Sequence, residues 1–168
     1  MQTINEQTFD EERALYGSSH VEAVRCRFDG PADGESAFKE CRDIDVAGCF
    51  MNLRYPLWHV TEAKITDTNF TQNCRAALWY DKDIYIEKSK LFGIKALREC
   101  ENVSIKNCKV NSTEFAWKIR NLTLENVEVE ESEYPFFEIR GAKITGLKMK
   151  GKYSFQYDEN IEITDSEA

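Results

Sequence analysis

The fold is decided by three stretches, VSIKNCKV at residues 103–110, LTLENVEV at 122–129 and IEITDSEA at 161–168. In each, two apolar residues flank a polar one, and a small or apolar residue follows three positions later. This alternation indicates a short strand with one buried face. Looser copies fill the rest of the chain, and the eight copies begin at Val21, Ile44, Ala63, Ile84, Val103, Leu122, Ala142 and Ile161.

The copies recur about every 20 residues, with successive spacings of 23, 19, 21, 19, 19, 20 and 19. Asn, Asp or Gly precedes most starts, as at Asn102, and recurs four residues after most starts, as at Asn107. These residue types tolerate left-handed backbone, so a corner is predicted at both places. A third apolar strand is anchored six residues before the starts, at Phe38, Leu57, Leu78, Leu97, Ala116, Phe136 and Phe155.

Three strands and three bends in 20 residues leave no room for a helix, so equivalent strands should stack about 4.8 Å apart. The sequence therefore predicts an all-β fold, a single-stranded right-handed parallel β-helix of about eight coils. Residues 1–168 form one domain, with 20–168 as stacked coils and 1–19 as an N-terminal cap or first coil. A leucine-rich repeat is the alternative, less favoured because its restricted Asn/Cys position varies widely here.

Charge and composition restrict the partners. The chain carries 30 acidic and 22 basic residues and a net charge of −8, which repels phosphate backbones, so no nucleic acid is expected. No apolar run approaches the roughly 20 residues of a membrane span, so no membrane partner is expected. The N-terminus lacks the features of a secretory signal, and we expect a cytoplasmic location. His20 and His59 are the only histidines and no Cys-x-x-Cys occurs, so neither a metal nor a cofactor is expected.

The six cysteines are predicted to be reduced and mostly buried. Five fall at inward positions of the repeat, namely Cys26, Cys41, Cys49, Cys100 and Cys108. Only Cys74, in the loop NCRAALWYD, resembles a reactive thiol, and a buried role is favoured because no histidine lies near it in sequence.

Two residues in each coil, between the inward positions of the third strand, should point outward. We call them the outward stripe, and they are Lys39-Glu40, Trp58-His59, Trp79-Tyr80, Arg98-Glu99, Trp117-Lys118, Phe137-Glu138 and Gln156-Tyr157. All three tryptophans of the chain lie in this stripe. Because a row of exposed aromatic rings is costly on a protein surface, it indicates a contact site.

Flat rings interleaved with charges suit the faces and hydroxyls of sugars, so a saccharide ligand is predicted. The candidate binding residues are Lys39, Trp58, Trp79, Tyr80, Arg98 and Trp117. Analogy to β-helix polysaccharide enzymes points the same way, although a shared fold is weak support for a shared function. In the alternative interpretation the rings lie under side loops or pack against neighbouring coils.

The candidates for catalysis are weaker, and no motif names a reaction. Glu99 and Glu138 lie two coils apart, roughly 9–10 Å by backbone spacing, near the upper end of the carboxylate separation in inverting glycosidases. Glu40 beside His59 on the adjacent coil has the arrangement of a carboxylate that orients an acid/base histidine. A solvated surface pair is the more ordinary interpretation of those two residues. Whether the chain is an enzyme is left open by its sequence.

Several strings go beyond generic β-helix patterning. They are ERALYG from Glu12, YPLWH from Tyr55, RAALWYD from Arg75, KALRECENVSIKNCK from Lys95 and MKGKYSFQYDENIEI from Met149. Together they resemble the uncharacterised bacterial family DUF3737, over nearly the whole chain. The resemblance implies a pectin-lyase-type right-handed β-helix, and it implies no activity and no catalytic residues.

The chain differs from that family in length, since family members usually continue for several more coils. This chain stops at IEITDSEA, in mid-repeat. We therefore expect either a short or truncated member or an end that another chain covers, because a bare strand edge invites pairing. The alternative function is accordingly a non-enzymatic scaffold that forms a homo-oligomer through its open coil end or its aromatic face.

Overall fold

The repeat starts lie side by side in a continuous parallel sheet of the computed structural model, which describes residues 1–168. Val103 pairs with Ile84 on one side and with Leu122 on the other. Strands make up 55% of the chain and helix 2%, arranged as a solenoid of about nine turns. The predicted parallel β-helix is therefore confirmed.

The chain forms eighteen strands and one 3-10 turn, Gln72–Cys74. In chain order the strands are β1 (Gln2–Asn5), β2 (Thr8–Phe9), β3 (Ser19–Val24), β4 (Arg27–Phe28), β5 (Arg42–Ala47), β6 (Phe50–Met51), β7 (Leu57–Trp58), β8 (Thr61–Thr66), β9 (Asn69–Phe70), β10 (Leu78–Trp79), β11 (Lys82–Glu87), β12 (Lys90–Phe92), β13 (Leu97–Arg98), β14 (Glu101–Asn111), β15 (Phe115–Trp117), β16 (Arg120–Ser132), β17 (Arg140–Gly151) and β18 (Glu159–Thr164).

The strands build three faces. The first face runs β1-β3-β5-β8-β11-β14-β16-β17-β18, and the second joins β2, β4, β6, β9 and β12 to the later half of β14. The third is a separate sheet in the order β15-β13-β10-β7, which single bridges extend to Phe137 and Gln156. The chain contains no helix with the length and apolar character that crossing a membrane requires.

The N-terminus supplies a rung that the repeat search missed. Strand β1 pairs in register with β3, and Gln2 stands beside Val21. The first and third pattern positions of this copy, Gln2 and Gln7, are polar, and only Ile4 and Phe9 keep the pattern. The next strand, β2, pairs with β4 and stacks the Phe9 ring 5.2 Å from that of Phe28. Residues 1–19 thus include the first of about nine turns, which agrees with the predicted first coil.

Left-handed backbone marks the corners. It occurs where the sequence predicts it, as at Asn102 with φ 54° and Asn107 with φ 52°. It also occurs directly after each third strand, at residues that we call the corner column: Glu40, His59, Tyr80, Glu99, Lys118, Glu138 and Tyr157. Apart from His59, none of these residue types favours left-handed backbone, so the sequence did not predict this corner.

All six cysteines are free and buried. The thiol of Cys74 lies 3.1 Å from the carbonyl oxygen of Met51, to which it donates a hydrogen bond. Burial raises the pKa of Cys74 to about 12, so its sulfur stays protonated at neutral pH. Cys74 therefore belongs to the core, and the loop thiol is not a reactive one.

Candidate functional site

The outward stripe is aligned coil upon coil on the third face. Trp79 stands between Trp58 and Arg98 in the strand register. The stripe continues through Trp117, which pairs with Arg98 on one side and with Phe137 on the other. The stacking of coils therefore brings the predicted aromatic residues into one row.

Within the row, the indole rings stack on each other. The rings of Trp58 and Trp79 lie 5.7 Å apart and are inclined by only 14°. The Lys39 ammonium lies 4.6 Å from the centroid of the Trp58 ring, and the Arg98 guanidinium 5.6 Å from that of Trp79. Each of these two indoles thus has a neighbour within its own row on either side, so its faces are not free platforms for a sugar.

Trp117 is held differently. Its indole Nε1 donates a hydrogen bond of 2.6 Å to the carbonyl oxygen of Tyr134, and its ring lies 4.6 Å from that of Phe137. All three tryptophans are half-buried. The packing of rings against neighbouring coils, which was the alternative interpretation, therefore describes a large part of the stripe.

The corner column is the more open half of the stripe. The imidazole of His59 stacks on the Tyr80 ring at 4.9 Å and 7°, and Tyr80 remains 40% exposed. The next position holds Glu99, whose carboxylate accepts a 3.0 Å hydrogen bond from Arg98 Nε, and Lys118 follows with its side chain exposed. Aromatic, acidic and basic groups thus succeed one another along the solenoid axis.

A groove of about 400 Å³ runs beside the corner column. It is lined by His59, Tyr80, Asp81, Lys82, Glu99, Cys100, Glu101, Lys118 and Arg120. Only His59, Tyr80 and Glu99 of these were candidates from the sequence. Lys82, Glu101 and Arg120 form a second aligned row, which could have been found by extending the repeat columns two residues past the stripe.

The groove is more basic than the molecule that carries it. Three cations, Lys82, Lys118 and Arg120, outnumber the two solvent-facing glutamates, in a chain whose net charge is −8. Burial acts to raise the pKa of Glu99, but hydrogen bonds from Arg98 and Tyr80 and the nearby charge of Lys118 bring that pKa below its ordinary value. Glu99 is therefore a carboxylate at neutral pH and suits the role of hydrogen-bond acceptor.

Asp81 lies beneath the groove and has a structural partner. Its Oδ1 accepts a 2.8 Å hydrogen bond from the backbone N–H of Val60, and its Oδ2 has no partner in the protein. Burial raises the pKa of Asp81 well above its usual range. Asp158 repeats the arrangement with the N–H of Ile139 at 2.7 Å. Aspartate at this inward position thus accepts a hydrogen bond from a buried backbone N–H of the neighbouring coil, which would otherwise lack a partner.

The profile of the family described as "Protein of unknown function (DUF3737)" matches residues 2–168. The chain belongs to this family. A pectin-lyase-like description of DUF3737 is consistent with the β-solenoid seen here. No curated protein and no solved structure matches this DUF3737 chain.

The catalytic candidates of this DUF3737 chain are held by different neighbours. Glu40 accepts a 2.6 Å hydrogen bond from the hydroxyl of Tyr16, whereas the imidazole of His59 lies against Tyr80. Glu99 and Glu138 are separated by the coil that carries Lys118. No group of three or more His, Cys, Asp or Glu side chains is arranged to hold a metal ion.

Proposed function

We propose that this DUF3737 chain is a carbohydrate-binding β-helix that holds a saccharide along the groove beside the corner column. The observation that carries the proposal is the groove itself, in which cationic hydrogen-bond donors and carboxylate acceptors lie in line with the exposed Tyr80 ring. The faces of Trp58 and Trp79 are covered by their neighbours in the stack. We therefore place the saccharide contact at the corner column, not at the indole faces predicted from the sequence.

The coil spacing supports an elongated ligand. Adjacent coils stand about 4.8 Å apart, so a chain molecule parallel to the axis meets a polar group at each step. Lys118 and Arg120 are donors and Glu99 is an acceptor, and such charged groups form the stronger hydrogen bonds to hydroxyls and carboxylates. Tyr80 adds a ring whose apolar body and polar tip suit a sugar surface.

Calorimetric titration of saccharides selected by a glycan array tests the proposal. We expect Tyr80→Ala and Lys118→Gln each to weaken binding by about tenfold, since each removes a contact worth ~1–2 kcal/mol. Tyr153→Ala is the matched control, because Tyr153 is 53% exposed and does not line the groove. If the wild-type chain binds no saccharide, or if Tyr80→Ala binds as well as the wild type, the proposal fails.

The second candidate function is that of a non-enzymatic scaffold that self-associates. Strand β18 pairs with β17 alone, so its other edge has no partner within the chain. Ile163 on that strand is 43% exposed. A second copy that adds to this edge would bury the Ile163 side chain and satisfy the free backbone groups.

Light scattering over a wide concentration range tests this scaffold function. It predicts a concentration-dependent dimer that Ile163→Lys abolishes. Ile94→Lys, at an isoleucine that is 52% exposed in a different coil, should leave the dimer intact. A strict monomer at high concentration contradicts self-association.

A further inference from the structure

The loops that lead into the third face enclose a cavity on the other flank of the stripe. Its volume is about 210 Å³, and it is lined by Tyr55, Arg75, Ala76, Trp79, Ile94 and Lys95. Apart from Trp79, these residues precede the third strands, whereas the groove residues flank or follow the corners where those strands end. The two hollows share no lining residue, so they are separate features.

The cavity is built by two loops in direct contact. The backbone N–H of Lys95 donates a 2.7 Å hydrogen bond to the carbonyl oxygen of Arg75. Gly93 has φ +128°, and a β-carbon there would lie only 2.9 Å from the same carbonyl oxygen. Glycine is therefore needed at 93 for the loops to approach, and their contact fixes Arg75 and Lys95 on one rim.

The apolar part of the lining is open to solvent at Ile94. This side chain is 52% exposed, next to the half-buried ring of Trp79 and the ring of Tyr55. The rings of Tyr55 and Trp79 lie 5.9 Å apart and are inclined by 59°. Burying Ile94 and the ring edges under a ligand would remove apolar surface from water.

The polar part of the lining is cationic and poorly neutralised. The guanidinium of Arg75 makes no ion pair or side-chain hydrogen bond in the structure, although the chain holds 30 acidic residues. Lys95 has one carboxylate neighbour, Glu114, at 4.0 Å. The indole N–H of Trp79 has no acceptor within the protein. Two cations thus border an apolar hollow, and one of them, Arg75, has no acidic partner within the chain.

We propose that this cavity binds a carboxylate carried on a short apolar group. The guanidinium of Arg75 would take both carboxylate oxygens, since its planar fork matches that geometry, and Lys95 would add a point charge. The apolar group would lie on Ile94 and Tyr55. A volume below the 300–1,000 Å³ common for drug-sized ligands restricts that group to about one ring or one branched side chain.

A free small acid and the C-terminus of a peptide that ends in an apolar residue present this same chemistry. Neutral sugars fit the hollow less well than the groove, because no carboxylate lines the hollow to accept a hydrogen bond from a sugar hydroxyl. The carboxylate site is thus independent of saccharide binding in the groove.

Calorimetric titration of the 168-residue chain with phenylacetate tests the site, with phenylacetamide as the neutral counterpart. We expect a dissociation constant of about 1 mM for phenylacetate, typical of so small a ligand, and binding about tenfold weaker for the amide. Arg75→Gln should weaken phenylacetate binding about tenfold. Ile94→Glu should abolish it, because the new carboxylate repels the ligand.

Arg42→Gln is the matched control, since Arg42 is exposed, forms no ion pair and lies outside the cavity. It should leave phenylacetate binding unchanged, as should Lys118→Gln in the groove. Arg75 and Ile94 are exposed, so both variants should unfold at the wild-type temperature. Equal affinity for acid and amide, or unchanged affinity in Arg75→Gln, overturns the proposal.

A peptide ending in phenylalanine, with a free or an amidated C-terminus, distinguishes the two sources of the carboxylate. Tighter binding of the free-acid peptide than of phenylacetate supports a chain terminus as the ligand. Binding of phenylacetate without binding of either peptide supports a free small acid.

Discussion

Two corners of the coil both require left-handed backbone, but they are stabilised differently. At the corner that enters the first face, asparagine side chains of successive coils hydrogen-bond to each other. An example is the 2.7 Å hydrogen bond that Asn121 Nδ2 donates to Asn102 Oδ1. At the corner column, the left-handed positions carry His59, Tyr80 and Lys118, whose side chains are exposed. The first corner is stabilised by hydrogen bonds between residues that favour left-handed backbone, whereas the second carries residues such as Tyr80 and Lys118, which do not favour it.

The second corner costs free energy that the rest of the coil must offset. A non-glycine residue in left-handed backbone costs roughly 1–2 kcal/mol, and asparagine less than most. At the corner column the compensation is the ladder between coils, such as the 2.8 Å hydrogen bond from Lys118 N–H to the carbonyl oxygen of Phe137. The same ladder offsets left-handed backbone at other bends of the coil, as at Arg25 and Phe136.

Breaking the asparagine corner should have the largest effect. Asn121→Val removes the side-chain hydrogen bond to Asn102 and places a β-branched residue at φ 62°. We expect the free energy of unfolding to fall by about 3 kcal/mol, from the lost hydrogen bond plus the strain. Urea denaturation followed by circular dichroism measures this.

Glu125→Val is the control for that substitution, because Glu125 lies exposed on the same strand outside the corner. It should change stability by less than about 0.5 kcal/mol. A similarly small loss in Asn121→Val would show that the coil stack alone fixes both corners, and the contrast between them would disappear.

The buried carboxyl below the corner column should give stability a dependence on pH. Burial raises the pKa of Asp81 in the folded state, so the folded chain holds this proton more tightly than the unfolded chain. The contribution of Asp81 to stability is thus fully present below the pKa of an unfolded aspartate and is lost as pH rises toward the folded pKa. Ionised, Asp81 is a buried carboxylate whose Oδ2 has no partner, which costs on the order of 1–3 kcal/mol.

Asp81→Asn keeps an acceptor for the Val60 N–H and cannot ionise. We therefore expect its free energy of unfolding to fall less than that of the wild type between pH 5 and pH 8, in urea titrations at each pH. Asp67→Asn, at an exposed corner, should keep the wild-type slope. Equal slopes for the wild type and Asp81→Asn would contradict the assigned cause.

The sequence predicted the structure correctly where a residue type has a strong preference for a backbone conformation or for burial. Asn107 and Gly146 marked real corners because both types tolerate left-handed backbone, and Val103 and Leu122 were placed side by side by spacing alone. The corner at Lys118 was missed because stacking imposes its conformation, and no preference of lysine indicates it.

The site was less predictable than the fold. Spacing aligned Trp58 with Trp79, but whether their faces meet each other or the solvent depends on side-chain rotamers, which periodicity does not determine. The cavity at Arg75 and Ile94 arises from contact between two loops outside the repeat pattern, so the sequence carried no signal for it.

Relieving the strained corner should have the smallest effect on stability and the clearest effect on function. Lys118→Gly removes the strain of left-handed backbone but adds freedom to the unfolded chain, so we expect a net gain of about 0.5 kcal/mol in the free energy of unfolding. The same substitution removes a cation from the groove and should weaken saccharide binding about tenfold. Lys143→Gly, at an exposed strand position without left-handed backbone, should instead lose stability, since glycine is unfavourable in a strand. If Lys118→Gly gained stability and bound saccharide as well as the wild type, the strain at this corner would have no part in ligand binding.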